Sequence, residues 1–115
     1  LIYAVAGWLY MLRRKENTRI QDVASIVVLA LALWLQIDFL GMALLILAIT
    51  IVWMAEFINA AVEAAINLST SDRHPMAQVG KDVASAAVLL GVVASILIGL
   101  LVLGPPLLQK LGIIS

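Results

Sequence analysis

The stretch from Glu56 to Ser85 reads EFINAAVEAAINLSTSDRHPMAQVGKDVAS, and it decides the fold of the chain. Its first half carries the polar stripe, the four residues Glu56, Asn59, Glu63 and Asn67. Their spacing places them on one face of an α-helix whose other positions are apolar. A carboxylate in the middle of a bilayer costs about 2.5–3.5 kcal/mol, so the stripe predicts an intramembrane functional site. The alternative is a polar face that only holds helices together.

The second half of the stretch supplies cations opposite these carboxylates. Asp72, Arg73 and His74 lie in a polar loop, and Lys81 and Asp82 begin the next apolar segment. Carboxylates that hold a divalent cation, together with lysine and arginine that bind phosphate, are the groups that phosphoryl transfer requires. The pattern therefore favours a phosphoryl-transfer site between two neighbouring helices.

Three residues are the strongest candidates for that chemistry. Glu63 is best placed to bind a divalent cation, and Lys81 to bind phosphate as a point charge. The alternative for Lys81 is a cation that only extends to the lipid headgroups. Glu56 lies deeper in the apolar layer, where a carboxylate is a candidate general base. The alternative for Glu56 is a structural carboxyl hydrogen-bonded to a neighbouring helix.

Composition restricts the protein class. Of the 115 residues, 64% are hydrophobic and 12% are charged, and the mean hydropathy is +1.14. Soluble domains carry about 25% charged residues, so the chain is predicted to be an integral membrane protein. The net charge is zero and there is no cysteine. No basic patch indicates nucleic acid, and disulfides and thiolate metal sites are excluded.

The apolar runs predict a single all-α membrane domain. An amphipathic surface helix is expected at about 1–15, and the alternative is the remnant of a longer spanning helix. Three membrane spans are expected, with a short turn at Asp38 and Gly41 after the first and with Gly104-Pro105-Pro106 ending the third. The expected spans are residues 19–39, 42–68 and 76–103.

The cations predict the orientation of these spans. Six of the seven Lys and Arg residues lie on one side of the predicted spans, and only Lys110 lies on the other. The positive-inside rule then places the N-terminal segment and the 69–75 loop in the cytoplasm, where ATP is present. Alanines beside the polar stripe and on the third span let helices approach closely, so we expect the chain to oligomerise and cover the stripe.

Several motifs together resemble the small prokaryotic diacylglycerol kinase family, which includes undecaprenol kinases. The central ones are E-x-x-N-x-x-x-E-A from Glu56, a loop containing His74-Pro75, and G-K-D-V-A-x-x-A-V-L from Gly80. Two N-terminal motifs agree, A-x-x-G at Ala4 and N-x-R-I at Asn17.

The resemblance implies a fold and a reaction. The expected fold is all-α and integral to the membrane, with three transmembrane helices and an N-terminal surface helix, assembled as a homotrimer with active sites between subunits. The expected reaction transfers the γ-phosphate of ATP to a lipid hydroxyl with the help of Mg²⁺. The residues leave the lipid open between diacylglycerol and undecaprenol.

The resemblance also implies roles for particular residues. Glu56 would accept the proton of the lipid hydroxyl, and the expected metal ligands are Glu63 and Glu16. The nucleotide would be contacted by Tyr3, Glu63, Asp72, Arg73, His74, Lys81 and Asp82. The lipid side of the site would include Arg19, Asn59 and Ser85.

The chain departs from the family pattern at three positions. Lys15 stands where the family usually has glutamate, with Glu16 one residue later; Gln21 and Asn67 replace a usual histidine and aspartate. The alternative function is therefore a non-catalytic oligomeric membrane protein that binds lipid or nucleotide.

Overall fold

The described part of the chain consists of helices joined by turns and contains no strand. A computed structural model describes residues 1–13, 17–69 and 74–115, with residues 17–19 described by their backbone alone. Its four helices are α1 (Ile2–Arg13), α2 (Asn17–Trp34), α3 (Phe39–Ser69) and α4 (Pro75–Lys110). The predictions for Glu16, Asp72 and Arg73, and for the side chain of Arg19, concern groups outside the described residues.

Helices α3 and α4 are the two described helices that are long and apolar enough to cross a membrane. They contain 31 and 36 residues, and at about 1.5 Å per residue both exceed a hydrocarbon layer of about 30 Å. Few of their side chains are buried within the chain. Their apolar surface therefore suits contact with lipid or with other protein surfaces in a membrane.

Helices α3 and α4 run antiparallel and approach closely. A Cβ on Gly91 would lie 3.7 Å from Ala55 Cβ and 3.9 Å from the Cα atom of Val52. Four residues later on α4, the Ser95 hydroxyl donates a hydrogen bond of 2.9 Å to the Ala48 carbonyl. The small residue at position 91 lets the two backbones meet, as membrane helices commonly do.

Helix α2 is shorter than the span predicted over 19–39. Its described apolar part, Ile20–Trp34, is below the length needed to cross a bilayer unaided. The turn also falls earlier than predicted, because Gln36 takes a left-handed φ of 55°. Asp38 then caps α3 by accepting the Gly41 N–H at 2.8 Å, so both residues belong to the start of α3. A third span remains a prediction.

The tightest apolar packing surrounds this turn. Ala32, Leu45 and Leu103 are buried together, one from each of α2, α3 and α4. Gly41 lies against this region, and a Cβ there would meet Ile37 Cγ2 at 2.6 Å. The Lys110 ammonium lies 4.9 Å from the centre of the Trp34 ring, so the end of α4 contacts the end of α2.

The predicted helix stop at Gly104-Pro105-Pro106 is wrong. Helix α4 continues through both prolines to Lys110. Each proline removes one backbone donor, but membrane helices tolerate this where neighbouring groups compensate. The helix ends at Lys110, and Gly112, two residues later, takes a left-handed φ of 77°. There the Gly112 N–H donates to Gln109, and the Ile113 N–H donates to Leu108, in a glycine-terminated cap.

Candidate active site

The polar end of the molecule is the region where the C-terminal half of α3 (residues 56–69) meets the start of α4 (residues 74–85). Its alignment follows from two contacts: Gly80 lies against Ile66, and Gly91 lies against Ala55. Along the helix pair, Lys81 and Asp82 are therefore level with Glu63 and Asn67. The structure thus brings together the two halves of the stretch that the sequence singled out.

Three residues of the polar stripe are half-buried, namely Glu56, Asn59 and Glu63, whereas Asn67 is exposed. The Asn59 amide donates a hydrogen bond of 3.5 Å from Nδ2 to Oε1 of Glu63, one turn further along α3. The other amide atom of Asn59, Oδ1, is buried and accepts no hydrogen bond from the residues that the structure describes. The Asn59 amide nitrogen thus faces the Glu63 carboxylate, while the amide oxygen is buried without a described donor.

A divalent cation fits this pair only with help from its substrate. Within the described ranges, no three acidic, histidine or cysteine side chains come close enough to hold a metal ion. Mg²⁺ is usually bound by one or two carboxylates and completed by water and substrate phosphates. Glu63 would supply one carboxylate to such a shell. The predicted second ligand, Glu16, lies outside the described residues.

The start of α4 is ordered by two local hydrogen bonds. The His74 ring accepts the Met76 N–H on Nδ1 at 3.1 Å, which caps the helix, and Pro75 follows at the first helical turn. Gln78 donates from Nε2 to Oδ1 of Asp82 at 2.8 Å. The sequence named His74 only as a nucleotide contact, and the structure adds this capping role.

Of the remaining predicted contacts on described elements, all but Lys81 are exposed. Lys81 is half-buried, whereas Asp82 and Ser85 are exposed on α4. Tyr3 lies near the start of α1 with 91% of its surface exposed. The structure does not bring Tyr3 together with the polar stripe.

Sequence reasoning missed two sets of residues beside the stripe. The contact of Gln78 with Asp82 could have been predicted, because Gln78 lies four residues before Asp82 on the same helix face. The second set is an aromatic cluster, in which Trp8 of α1 lies 4.8 Å from Phe57 and 6.0 Å from Trp53 between ring centres. Its α3 members were visible as an i, i+4 pair, but no sequence signal connected them to α1.

The fold and the site together define a class of protein. This is an all-helical membrane protein with a carboxylate and amide stripe on one long helix and a lysine–aspartate pair level with it on the next. The chain belongs to the family described as prokaryotic diacylglycerol kinase, which it matches over residues 2–103.

Individual relatives agree with this assignment. A diacylglycerol kinase of Synechocystis is 34% identical over 93% of this chain and 62% of its own length. That of Escherichia coli K12 is 32% identical over 69% of this chain and 65% of its own length. An undecaprenol kinase of Bacillus subtilis is 29% identical over 92% of this chain and 86% of its own length. The chain thus spans less than two thirds of the two diacylglycerol kinases.

Proposed function

We propose that the chain is a lipid kinase that transfers the γ-phosphate of ATP to a hydroxyl group of a membrane lipid. The observation that carries this proposal is the Asn59–Glu63 pair on α3, level with Lys81 on α4 and with Glu56 further along the same stripe. The names of the relatives, diacylglycerol kinase and undecaprenol kinase, support this reaction class.

The proposed step is an in-line displacement at phosphorus. Glu56 takes the proton of the lipid hydroxyl, and the hydroxyl oxygen forms a bond to the γ-phosphorus. The bond from that phosphorus to the β–γ bridging oxygen breaks, and ADP leaves with the electron pair. Lys81 offsets negative charge on the phosphates. Mg²⁺, when bound at Glu63, would neutralise further charge on the β- and γ-phosphates.

The other polar residues orient these groups. Asn59 holds the Glu63 carboxylate by its hydrogen bond, and Gln78 holds Asp82. We assign the ATP side of the site to α4 and the preceding loop, and the lipid side to the membrane-facing part of the bundle. The nucleotide residues are Tyr3, Asp72, Arg73, His74, Lys81 and Asp82; the lipid residues are Arg19, Asn59 and Ser85; Glu16 is a second metal ligand.

The proposed setting is the cytoplasmic face of a prokaryotic membrane. The distribution of lysine and arginine supports a cytoplasmic N-terminal segment. A homotrimer with three spans per chain would cover the half-buried carboxylates of the stripe with protein rather than lipid. A monodisperse monomer with full activity in mild detergent would contradict this shared arrangement.

A lipid competition assay tests the proposal and resolves the substrate. Membranes that contain the chain are given γ-labelled ATP, Mg²⁺ and equal amounts of diacylglycerol and undecaprenol. We expect label in one of the two extracted lipids in preference to the other. The alternative, a non-catalytic binding protein, is favoured by the departures from the family pattern at Lys15 and Asn67, and it predicts no label in either lipid.

A further inference from the structure

Within the described part of the chain, few side chains attach helix α1 to the other helices. Of its 12 residues only Met11 is buried. Tyr3 and Tyr10 are 91% and 60% exposed, respectively. The position of α1 relative to the membrane helices therefore depends on a small number of contacts.

The main described contact is the aromatic cluster formed by Trp8, Trp53 and Phe57. Trp8 meets Phe57 edge-on, with 4.8 Å between ring centres and 72° between ring planes. It also lies 6.0 Å from Trp53, and Trp53 lies 6.1 Å from Phe57. Two of the three pairs, Trp8–Phe57 and Trp53–Phe57, take the edge-on geometry that aromatic pairs prefer, whereas the Trp8 and Trp53 ring planes are tilted by 36°.

The cluster also reaches α2. The Trp53 indole N–H donates to the hydroxyl of Ser25 at 3.4 Å. One point on α3 therefore joins α1, α2 and α3. Rings that pack against one another and carry a hydrogen bond fix an orientation more closely than a sliding apolar contact does.

This point coincides with the proposed base. Glu56 lies between the two α3 members of the cluster, three residues after Trp53 and directly before Phe57. Glu56 is itself half-buried at that level. The place where α1 docks on α3 is therefore the place where the lipid hydroxyl must meet its proton acceptor.

We propose that Trp8, Trp53 and Phe57 are positioning residues that hold α1 at the level of Glu56 and so present the lipid hydroxyl to this carboxylate. The proposal rests on the proposed lipid kinase function. A lipid that diffuses in the bilayer reaches Glu56 in many orientations, and a fixed wall beside the carboxylate reduces their number. Misplacement by about 1 Å can slow such a reaction by about 100-fold.

The proposal predicts a specific kinetic signature. Loosening α1 lowers kcat with the lipid acceptor, because fewer bound lipids have the reactive orientation. The nucleotide contacts predicted for α4 are retained, because Lys81 and Asp82 lie on a different helix, so a rise in the KM for ATP would measure only the contact predicted for Tyr3 of α1. A general loss of folded protein would instead lower the total activity. The KM values and the mobility of α1 in the remaining folded molecules would not change.

The first experiment compares three variants with the parent in mixed micelles. Trp8→Ala should lower kcat by about 3- to 10-fold, the size expected for one aromatic pair, and Trp8→Phe should restore most of it. The matched control is Trp34→Ala. It also removes a tryptophan side chain, but at the C-terminal end of α2, where Trp34 contacts Lys110. It should leave kcat and both KM values unchanged.

The second experiment reads the position of α1 without using activity. The chain has no cysteine, so a nitroxide can be placed on α1 alone through Tyr10→Cys. Its spectrum should be broad in the labelled parent, narrower with Trp8→Ala, and broad again with Trp8→Phe. The Trp34→Ala control should leave the spectrum unchanged.

The outcomes separate the two proposals. Slower lipid turnover together with a more mobile α1 supports the positioning role. Unchanged label mobility, or greater mobility with unchanged kcat, overturns it while leaving the kinase proposal intact. A parent that labels neither lipid overturns the kinase proposal and the positioning role with it.

Discussion

The two ends of the α3–α4 pair differ in how closely their residues pack and in how fully their polar groups are paired. At the opposite end, around the α2–α3 turn, Asp38 caps α3, Leu45 is 1% exposed and Gly41 is tightly enclosed. At the polar end, Asn59 and Glu63 bond to each other, and Asn59 Oδ1 is buried with no described donor. Leaving such an acceptor unpaired costs about 1–3 kcal/mol. The opposite end is tightly packed, whereas the polar end holds a buried acceptor that a ligand of the proposed site would pair with.

The largest expected effect is a loss of phosphate transfer from a substitution at the polar end. Glu63→Gln keeps the shape and polarity of the side chain but removes the charge that would bind the metal. Phosphate transfer should fall by about 100- to 1000-fold, as for loss of one group that stabilises transition-state charge. Labelled ATP and extracted lipid measure the effect.

Asp38→Asn is the matched control for that prediction. It makes the same carboxylate-to-amide change at the opposite end, and asparagine caps helices as well as aspartate does. It should leave both transfer and unfolding unchanged. Near-normal turnover of Glu63→Gln at low Mg²⁺ would show that Glu63 does not bind the metal.

A pair of glycine substitutions sharpens the comparison through packing. At Gly41 an added Cβ would lie 2.6 Å from Ile37 Cγ2 and 2.8 Å from the capping oxygen of Asp38. Gly41→Ala should therefore lower the free energy of unfolding by about 1–3 kcal/mol.

Gly80→Ala is the comparison at the polar end. Its Cβ would meet only the Ile66 side chain, at 2.9 Å to the terminal Cδ1 atom, which can rotate away. Alanine also has the higher helix propensity, so the change in unfolding free energy should stay within about 0.5 kcal/mol. Denaturation in detergent measures both variants, and equal losses would contradict the difference in packing between the ends.

A smaller effect is expected from removing the cap of α3. Asp38→Ala leaves the Gly41 N–H without its acceptor and should destabilise the protein by about 1 kcal/mol. The specific activity of the folded protein should not change, because the cap lies far from the polar stripe. A loss of kcat without a loss of stability would contradict the separation of the two ends.

The smallest expected effect concerns Asn67, which departs from the family pattern. Asn67→Asp adds a carboxylate one turn from Glu63, but the side chain is exposed and an exposed charge contributes little. We expect half-saturation by Mg²⁺ to fall by about 2-fold at most. A much larger fall would place residue 67 directly in the metal site.

The sequence predicted the long helices better than their ends. The spans at 42–68 and 76–103 correspond to Phe39–Ser69 and Pro75–Lys110, because apolar runs and polar loops are strong signals. The turn after α2 was misplaced because Asp38 and Gly41 suit a turn and a helix start equally well. The proline stop was wrong because membrane helices tolerate proline.

For the candidate site, the sequence predicted which residues share a face of one helix, but not which residues of different helices contact each other. The periodicity of the polar stripe placed Asn59 and Glu63 on one helix face, since residues four apart are neighbours there, but it did not predict their hydrogen bond. The contact of Trp8 with Phe57 was not predictable, because it joins residues 49 positions apart in the sequence. Such a contact depends on how α1 folds back on α3, which no local pattern encodes.

The most direct test of the lipid kinase assignment is single-turnover transfer from γ-labelled ATP to the preferred lipid by the parent and by Glu56→Gln. The amide cannot accept the hydroxyl proton, while ATP binding at α4 is retained. We predict labelled lipid from the parent, at least about 100-fold slower transfer by the variant, and unchanged nucleotide affinity. Equal rates for the two proteins, or no labelled lipid from the parent, would contradict the assignment.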